Sequence, residues 1–266
     1  MHTSLTQINE LYNLDAFEFL SKLQNDSVDL IYLDPPFATG RIFKTKSDEI
    51  AFNDKITLSE LIKLLSPIIQ QIARVLNNRG TFYLHGNSNF IEYIKIECDK
   101  IFGIENHRNS IIWYHNSGRR KEKEFGKRHD TILRYSKSDD YFFEPIREDY
   151  SPTAPRGFKK EKYYHPDGKV IDDVWKIPII AQNDKRLRKE FFWPTMKPPE
   201  LFRRIILSSC PDDGVFVDPM IGSGISCAVA KYFNKNFIGN DMSKFSIETA
   251  QNLIKKTDIL SEYFQK

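Results

Sequence analysis

The sequence predicts a doubly wound α/β fold, a mostly parallel sheet with helices on both faces. Three observations carry this. Short apolar runs of strand length alternate with helical periods in the first and last portions of the chain. Two proline- or glycine-containing loops directly follow two of those runs. One stretch, 137–192, breaks the rhythm, as an insertion at the edge of such a core would. Parallel strands joined by crossover helices produce the alternation, and the sheet that results is wound from its middle outward.

Taken in order, Val28–Leu33 (VDLIYL) is a continuous apolar run, which fits a strand buried on both faces. A helical pattern extends from about Thr57 to Leu76, with Gly80 as its stop and a strand at Thr81–His85 following at once. Ser110–Tyr114 and Thr131–Tyr135 read as two further strands. Val215–Val217 leads into a glycine-containing turn and a helix over Ser226–Phe233. Phe237–Ile238 is the last strand, before a C-terminal helix.

Between 137 and 192 the chain is rich in Tyr, Pro, Lys and Arg and has no clean period of either kind. A connection of that length in a compact fold is usually functional or disordered. The expected organisation is therefore a core over 1–136 and 193–266 with an insertion at 137–192. Net charge is only +3, but from His115 to Glu190 there are 19 Lys and Arg against 14 Asp and Glu, and elsewhere 20 against 22. The positive excess thus sits in the middle third.

With 40% hydrophobic residues the chain can bury a sizeable core. The opening MHTSLTQINELYNLD lacks the basic stretch and apolar run of a signal peptide. No apolar run approaches the roughly 20 residues of a membrane span. Cys98, Cys210 and Cys227 show neither CxxC spacing nor neighbouring histidines, so neither a zinc site nor a disulfide framework is expected. The expectation is a soluble cytoplasmic protein with no metal and no membrane partner.

The first of the two loops is Asp34-Pro35-Pro36-Phe37. Asp and Pro are common at strand-ending turns, so the bland reading is a turn. The chemical reading is that two prolines stiffen the loop and fix the Asp34 carboxylate and the Pro35 carbonyl. Together these can accept both hydrogens of a planar amino group and draw its nitrogen toward a tetrahedral form, while Phe37 stacks on the attached ring. The second loop is Asp218-Pro219-Met220-Ile221-Gly222-Ser223-Gly224. It lacks the third glycine of the dinucleotide fingerprint and the GK[ST] of a phosphate loop. Asp241 follows about 20 residues on, where a carboxylate can take a ribose diol. The combination suits a nucleoside cofactor without phosphates.

Read together, these motifs resemble the amino-methyltransferases of bacterial restriction–modification systems, specifically the beta class, in which the catalytic motif precedes the cofactor motif. Asn13, Asp15, Glu18 and Leu20 match NxDxxExL ahead of VDLIYLDPPF. RVLNNRGTFYLHG is similar to the family's core helix and strand, and WPTMKPPELFRRII followed by DPMIGSGIS is similar to HPTxKPxxLxxRII and DPFxGSGTT. The resemblance covers nearly the whole length. It implies a Rossmann-like, S-adenosylmethionine-dependent methyltransferase fold with Asp34, Pro35, Pro36 and Phe37 as its catalytic loop. It implies Asp218, Met220, Gly222, Ser223 and Gly224 around the cofactor's methionine part, Thr195 and Lys197 near its carboxylate with Asp34 adjoining, Asp241 at its ribose, and Asp15 and Ala16 at its adenine. Trp193, Met220 and Ile225 depart from the family's His, Phe and Thr, and the last change removes a hydroxyl near the cofactor.

The implied reaction is transfer of a methyl group to the 6-amino group of adenine in double-stranded DNA, with the base flipped out. The basic clusters Arg119, Arg120, Lys121 and Lys159, Lys160, Lys162 would ordinarily be solvated faces, but they fall where the family places its target-recognition region. A homodimer and a cognate restriction endonuclease are compatible with the resemblance, though no residue argues for either. Methylation of cytosine at its 4-amino group, of an RNA base or of a protein amide, and a DNA-binding relative without catalysis, are the alternatives. His85, His107, His115 and His129 read as structural or surface residues, and Phe52, Trp113, Trp175 and Trp193 as core.

Overall fold

Val28–Leu33 lies inside an eight-stranded sheet, as its unbroken apolar run requires. A computed structural model of the chain describes residues 7–46, 48–115, 117–118, 122–150, 165–181 and 183–264. The elements begin with β1 (Glu10–Tyr12), α1 (Ala16–Ser21), β2 (Val28–Leu33), the hairpin strands β3 (Ile42–Lys44) and β4 (Ile50–Asn53), and α2 (Leu58–Val75). β5 (Leu76–Gly86), α3 (Ile91–Phe102), β6 (His107–Tyr114) and β7 (His129–Ser136) complete the first half. Then come the short pair β8 (Arg147–Glu148) and β9 (Lys169–Val170), β10 (Val174–Lys176), α4 (Leu187–Glu190) and α5 (Pro199–Ser209). β11 (Val215–Asp218), α6 (Ile225–Tyr232), β12 (Asn236–Asn240), α7 (Lys244–Ile254) and α8 (Ser261–Phe264) close the chain.

The sheet order is β1-β12-β11-β2-β5-β7-β6-β10. Only β7 runs against the rest, pairing antiparallel with β5 and β6 while every other neighbour is parallel. Successive residues of β2 point into two separate cores. Leu30 and Tyr32 pack with Leu201 and Ile205 of α5, Ala228 of α6 and Leu253 of α7. Val28, Ile31 and Leu33 pack with Leu61, Leu65, Ile68 and Ile72 of α2. Helices therefore cover both faces, which is the doubly wound arrangement expected of the sequence.

Helix α2 starts in a capping box: Glu60 donates its backbone N–H to Thr57 Oγ1, and Glu60 Oε2 accepts from Thr57 N–H at 2.8 Å. Its end falls where expected, but the strand after it begins earlier than Thr81. The helix stops at Val75, and β5 begins directly at Leu76, which pairs with Val28. Gly80 is inside that strand and stops nothing; a Cβ there would lie 2.7 Å from the Leu76 side chain.

The aperiodic stretch 137–192 is tied into the core along its later part. β10 extends the sheet edge parallel to β6, and Trp175, Ile177, Ile180, Leu187 and Phe191 are buried in the core. Trp113 Nε1 donates to Ile177 O at 2.8 Å across that seam. A three-residue edge strand has too few positions to show a period of two, which is why it left no signal. Among the described residues no helix is long and apolar enough to cross a membrane.

Candidate active site

β2 and β11 are neighbours whose onward connections leave in opposite directions, β2 through α2 to β5 and β11 through α6 to β12. Such a switch point opens a crevice at the carboxyl ends of the strands. Both loops singled out in the sequence end there: Asp34 follows β2, and Asp218 closes β11.

The Asp34-Pro35-Pro36-Phe37 loop is held from behind by Asp54, which is 1% exposed. Asp54 accepts from Ala38 N–H at 2.9 Å and Thr39 N–H at 3.0 Å, and also from the Thr39 hydroxyl. This clamp lets Ala38 keep a positive φ of 53° in the turn after Phe37. Asp34 Oδ2 pairs with Lys197 Nζ at 2.5 Å, whereas its Oδ1 is buried without a hydrogen-bond partner among the described residues. Phe37 packs edge-on to His85 with ring centroids 5.4 Å apart, and Lys197 Nζ lies 5.3 Å from its ring centre.

Across the crevice, Asp218 is buried and accepts from Met220 N–H at 3.0 Å and Ser226 Oγ at 2.6 Å. Burial pushes its carboxyl up to about 7, against those two hydrogen bonds, and the charges of Asp34 and Asp241 add to the rise. Asp241 accepts from Gly222 N–H at 2.9 Å and Ser243 N–H at 2.8 Å, and burial raises its pKa as well. Gly222 takes φ +51°, and a Cβ there would lie 2.9 Å from Trp193 Nε1. Gly224 takes φ +78°, and a Cβ there would lie 2.3 Å from Ala250 Cβ. Gly222 thus shapes the crevice, whereas Gly224 lets α6 approach α7 and does not line it.

The crevice holds two adjoining cavities. The smaller is lined by Asp34, Thr195, Lys197, Asp218, Ser223 and Ile225 among others. The larger encloses roughly 960 Å³ of empty space, mouth included, between Asp15, Ala16, Pro35, Phe37, Asp54 and Asp241. Asp34, Trp193, Thr195, Lys197, Met220 and Gly222 belong to both, and the larger one brings the Pro35–Phe37 loop together with Asp15, Ala16 and Asp241. Asp15 has a second task as N-cap of α1, accepting from Phe17 N–H at 2.9 Å and Glu18 N–H at 3.2 Å. Trp193 stands in a column of near-parallel rings: Phe43–Phe52 at 4.6 Å, Phe52–Trp193 at 6.2 Å and Trp193–Phe245 at 6.2 Å.

Some contributors went unsignalled. Asn240 is fully buried and knits three loops, accepting from Leu14 N–H and donating to Leu14 O and Pro219 O at 3.0 Å each. Asp54 sits beyond a hairpin with no motif of its own. His85, read as structural, is buried within 3.5 Å of Asp34, and its position at the end of a strand beside β2 was the available clue. Arg119, Arg120, Lys121, Lys159, Lys160 and Lys162 lie outside the described residues.

The profile of the DNA methylase family N6_N4_Mtase matches residues 28–252. The chain is 30% identical to the type II methyltransferase M.HpaI of Haemophilus parainfluenzae, over 89% of this chain and 71% of that protein. It is 28% identical to the DNA adenine methyltransferase YhdJ of Escherichia coli K12, over 94% and 82% respectively. Its fold matches the crystal structure of an M1.HpyAVI–SAM complex with a TM-score of 0.60 at 22% identity, covering 92% of this chain and 98% of that one. It also matches the cytosine-N4-specific PvuII DNA methyltransferase with a TM-score of 0.68 at 14% identity, covering 98% and 94%. With this fold, a profile match across most of its length and a crevice at the strand switch point, the chain belongs to the S-adenosylmethionine-dependent DNA amino-methyltransferases of the restriction–modification type.

Proposed function

We propose that the chain methylates the 6-amino group of adenine at a specific site in duplex DNA, as the modification partner of a restriction system. The observation that carries this reading is that one cavity is lined both by the rigid Asp34-Pro35-Pro36-Phe37 loop and by Gly222, Asp241, Asp15 and Ala16. Asp34 and the Pro35 carbonyl take the amino hydrogens, and Phe37 takes the face of the flipped base.

The residues of the crevice fit the cofactor. Asp15, Asp34 and Asp54 line it with Lys197 already paired, and Asp218 and Asp241, raised by burial, add further acceptors, a pattern that suits a cationic nucleoside better than a polyphosphate. Asp241 would hold the ribose, Asp15 and Ala16 the adenine, and Thr195 and Lys197 the carboxylate, around the Gly222 turn. When bound, S-adenosylmethionine supplies an electrophilic sulfonium methyl. The protein contributes position and electrostatics.

Residues 137–192 with the basic clusters at 119–121 and 159–162 would read the target and grip phosphates. YhdJ, an adenine enzyme, and the Asp at the head of the catalytic loop favour adenine. The family's breadth and the likeness to the PvuII enzyme favour cytosine as the second reading. Incubating the protein with labelled cofactor and DNA, digesting to nucleosides and weighing the product separates them. N6-methyl-2′-deoxyadenosine is expected, and N4-methyl-2′-deoxycytidine as sole product would overturn the adenine assignment.

A further inference from the structure

His85 is fully buried at the carboxyl end of β5, where Leu33 pairs with Leu84 and brings Asp34 alongside. Its ring is boxed by Tyr32, Phe37 and Trp113 at centroid distances of 6.1, 5.4 and 5.3 Å, edge-on in each case. Nδ1 lies 2.7 Å from the Tyr32 hydroxyl and 3.5 Å from Asp34 Oδ1, the carboxylate oxygen without a hydrogen-bond partner among the described residues. Nε2 lies 3.3 Å from Asp130 Oδ2, and His115 Nε2 is 4.0 Å from that same oxygen. A row of titratable groups therefore runs from Asp34 through His85 and Asp130 to His115, whose side chain is 12% exposed.

We infer that His85 acts through Asp34 as the relay that takes up the proton shed by the methylated amino group, with the Asp130 carboxylate balancing the charge of the imidazolium that results. This rests on the reading of Asp34 as the acceptor facing the target amine. The nitrogen–carbon bond forms as the cofactor's carbon–sulfur bond breaks, which leaves the nitrogen with four bonds and a positive charge. Its proton goes to the Asp34 carboxylate, and Oδ1 delivers a proton to His85 Nδ1 as the Tyr32 hydroxyl releases that nitrogen. The imidazolium keeps its Nε2–H on the ionised Asp130 carboxylate, and the proton returns through Asp34 to solvent once product has left, which restores the starting tautomer. No other reactant is needed.

The groups facing His85 support its starting state. The ionised Asp130 carboxylate beside Nε2 can only accept, which places the ring proton on Nε2. Nδ1 is then the acceptor from the Tyr32 phenol, itself held well above its usual pKa by burial and then by the charges of Asp34, Asp218 and Asp130. Burial pushes Asp130 up, but the hydrogen bond and charge of His85, with Lys197 and His115, bring it below the ordinary range. Burial lowers His115, with Asp130 opposing and His85, His129 and Lys197 reinforcing. Lys197 is paired with Asp34 and acts on Asp130 and His115 by its charge.

The test joins a spectrum to a rate. In ¹⁵N spectra of the free wild-type protein, assigned by loss of the signal in His85→Asn, His85 should be the Nε2–H tautomer, and its titration midpoint should move in Asp34→Asn. In single-turnover methyl transfer, His85→Asn should slow the reaction by about 10- to 100-fold and flatten the acid limb of the pH profile. Calorimetric affinity for S-adenosylmethionine should stay within about twofold, the span of a group that does not touch it. Added imidazole should restore part of the rate in His85→Ala, and Asp130→Asn should slow transfer in the same sense. A wild-type rate and profile in His85→Asn, or an Nδ1–H tautomer in the wild type, overturns the relay. If Asp34→Ala keeps its activity, the reading of Asp34 fails instead. If His85→Asn does not fold, the wild-type tautomer decides.

Discussion

Lys197 Nζ sits 2.5 Å from Asp34 Oδ2, so the cation expected at the cofactor's carboxylate is held by the carboxylate expected at the base. The two half-sites are therefore coupled through one ion pair that is mostly buried. Asp34→Ala should abolish methyl transfer yet bind S-adenosylmethionine at least as tightly as wild type, because Lys197 is released. Calorimetry measures this, and a loss of cofactor binding in Asp34→Ala would reverse the assignment of the loops.

Asp241→Ala should separate in the other direction. Its carboxylate fixes the Gly222 and Ser243 backbone and lines the larger cavity. Losing a charge-assisted hydrogen bond to a ribose should weaken cofactor binding by about 1–3 kcal/mol. The same titration reads it out.

The two glycines of the turn should fail differently. Gly224→Ala drives a Cβ into Ala250 in a left-handed backbone, and should lower the melting temperature by an amount equivalent to about 2 kcal/mol or more. Gly222→Ala presses on Trp193 at the cavity wall, so its loss should show chiefly in cofactor affinity. Differential scanning calorimetry with and without cofactor distinguishes them.

Asp218 should contribute a fall in stability as pH rises from about 4 to about 7, at a slope of at most about 1.4 kcal/mol per pH unit, while the lowered carboxyls of Asp99, Asp130, Asp184 and Glu200 act in the opposite sense at the acid end. The folded pKa of Asp218 is raised from 3.8 to about 7, so between those values the folded state keeps a proton the unfolded chain has lost. That contribution is complete below the unfolded value and is gone above the folded one; Asp241 acts in the same sense. In urea unfolding, the stability of wild type relative to Asp218→Asn should fall across this range. An unchanged difference would locate the buried proton elsewhere.

Replacing Lys159, Lys160 and Lys162 together should weaken binding to specific and nonspecific DNA alike. The salt dependence should become shallower by about one unit of slope per lost phosphate contact. An unchanged slope would make this run a solvated face.

What was legible in the sequence followed from burial and from motif. VDLIYL announced a strand covered on both faces, and the loops after it and after Val215–Val217 announced the site, because an Asp before two prolines and a paired-glycine turn are written in consecutive residues. The hairpin at 42–53 and β10 are too short for a period to register. Asp54, Asn240 and His85 act across gaps in sequence that only folding closes: Asp54 on Ala38 and Thr39, Asn240 on Leu14 and Pro219, His85 on Asp34. Gly80 misled because glycine after a helical period usually stops it, whereas here pairing with β2 takes over at Leu76.

The column Phe43, Phe52, Trp193, Phe245 draws on three distant parts of the chain, with successive ring planes within 15–18° of parallel. Such stacked chromophores, held in a fixed asymmetric setting, give circular dichroism in the near ultraviolet. The wall of the cofactor cavity therefore carries its own optical signal. Trp193 sits in the middle of the column at 5% exposure, so its absorption band reports whether the hairpin, the turn and α7 are together, without any added label.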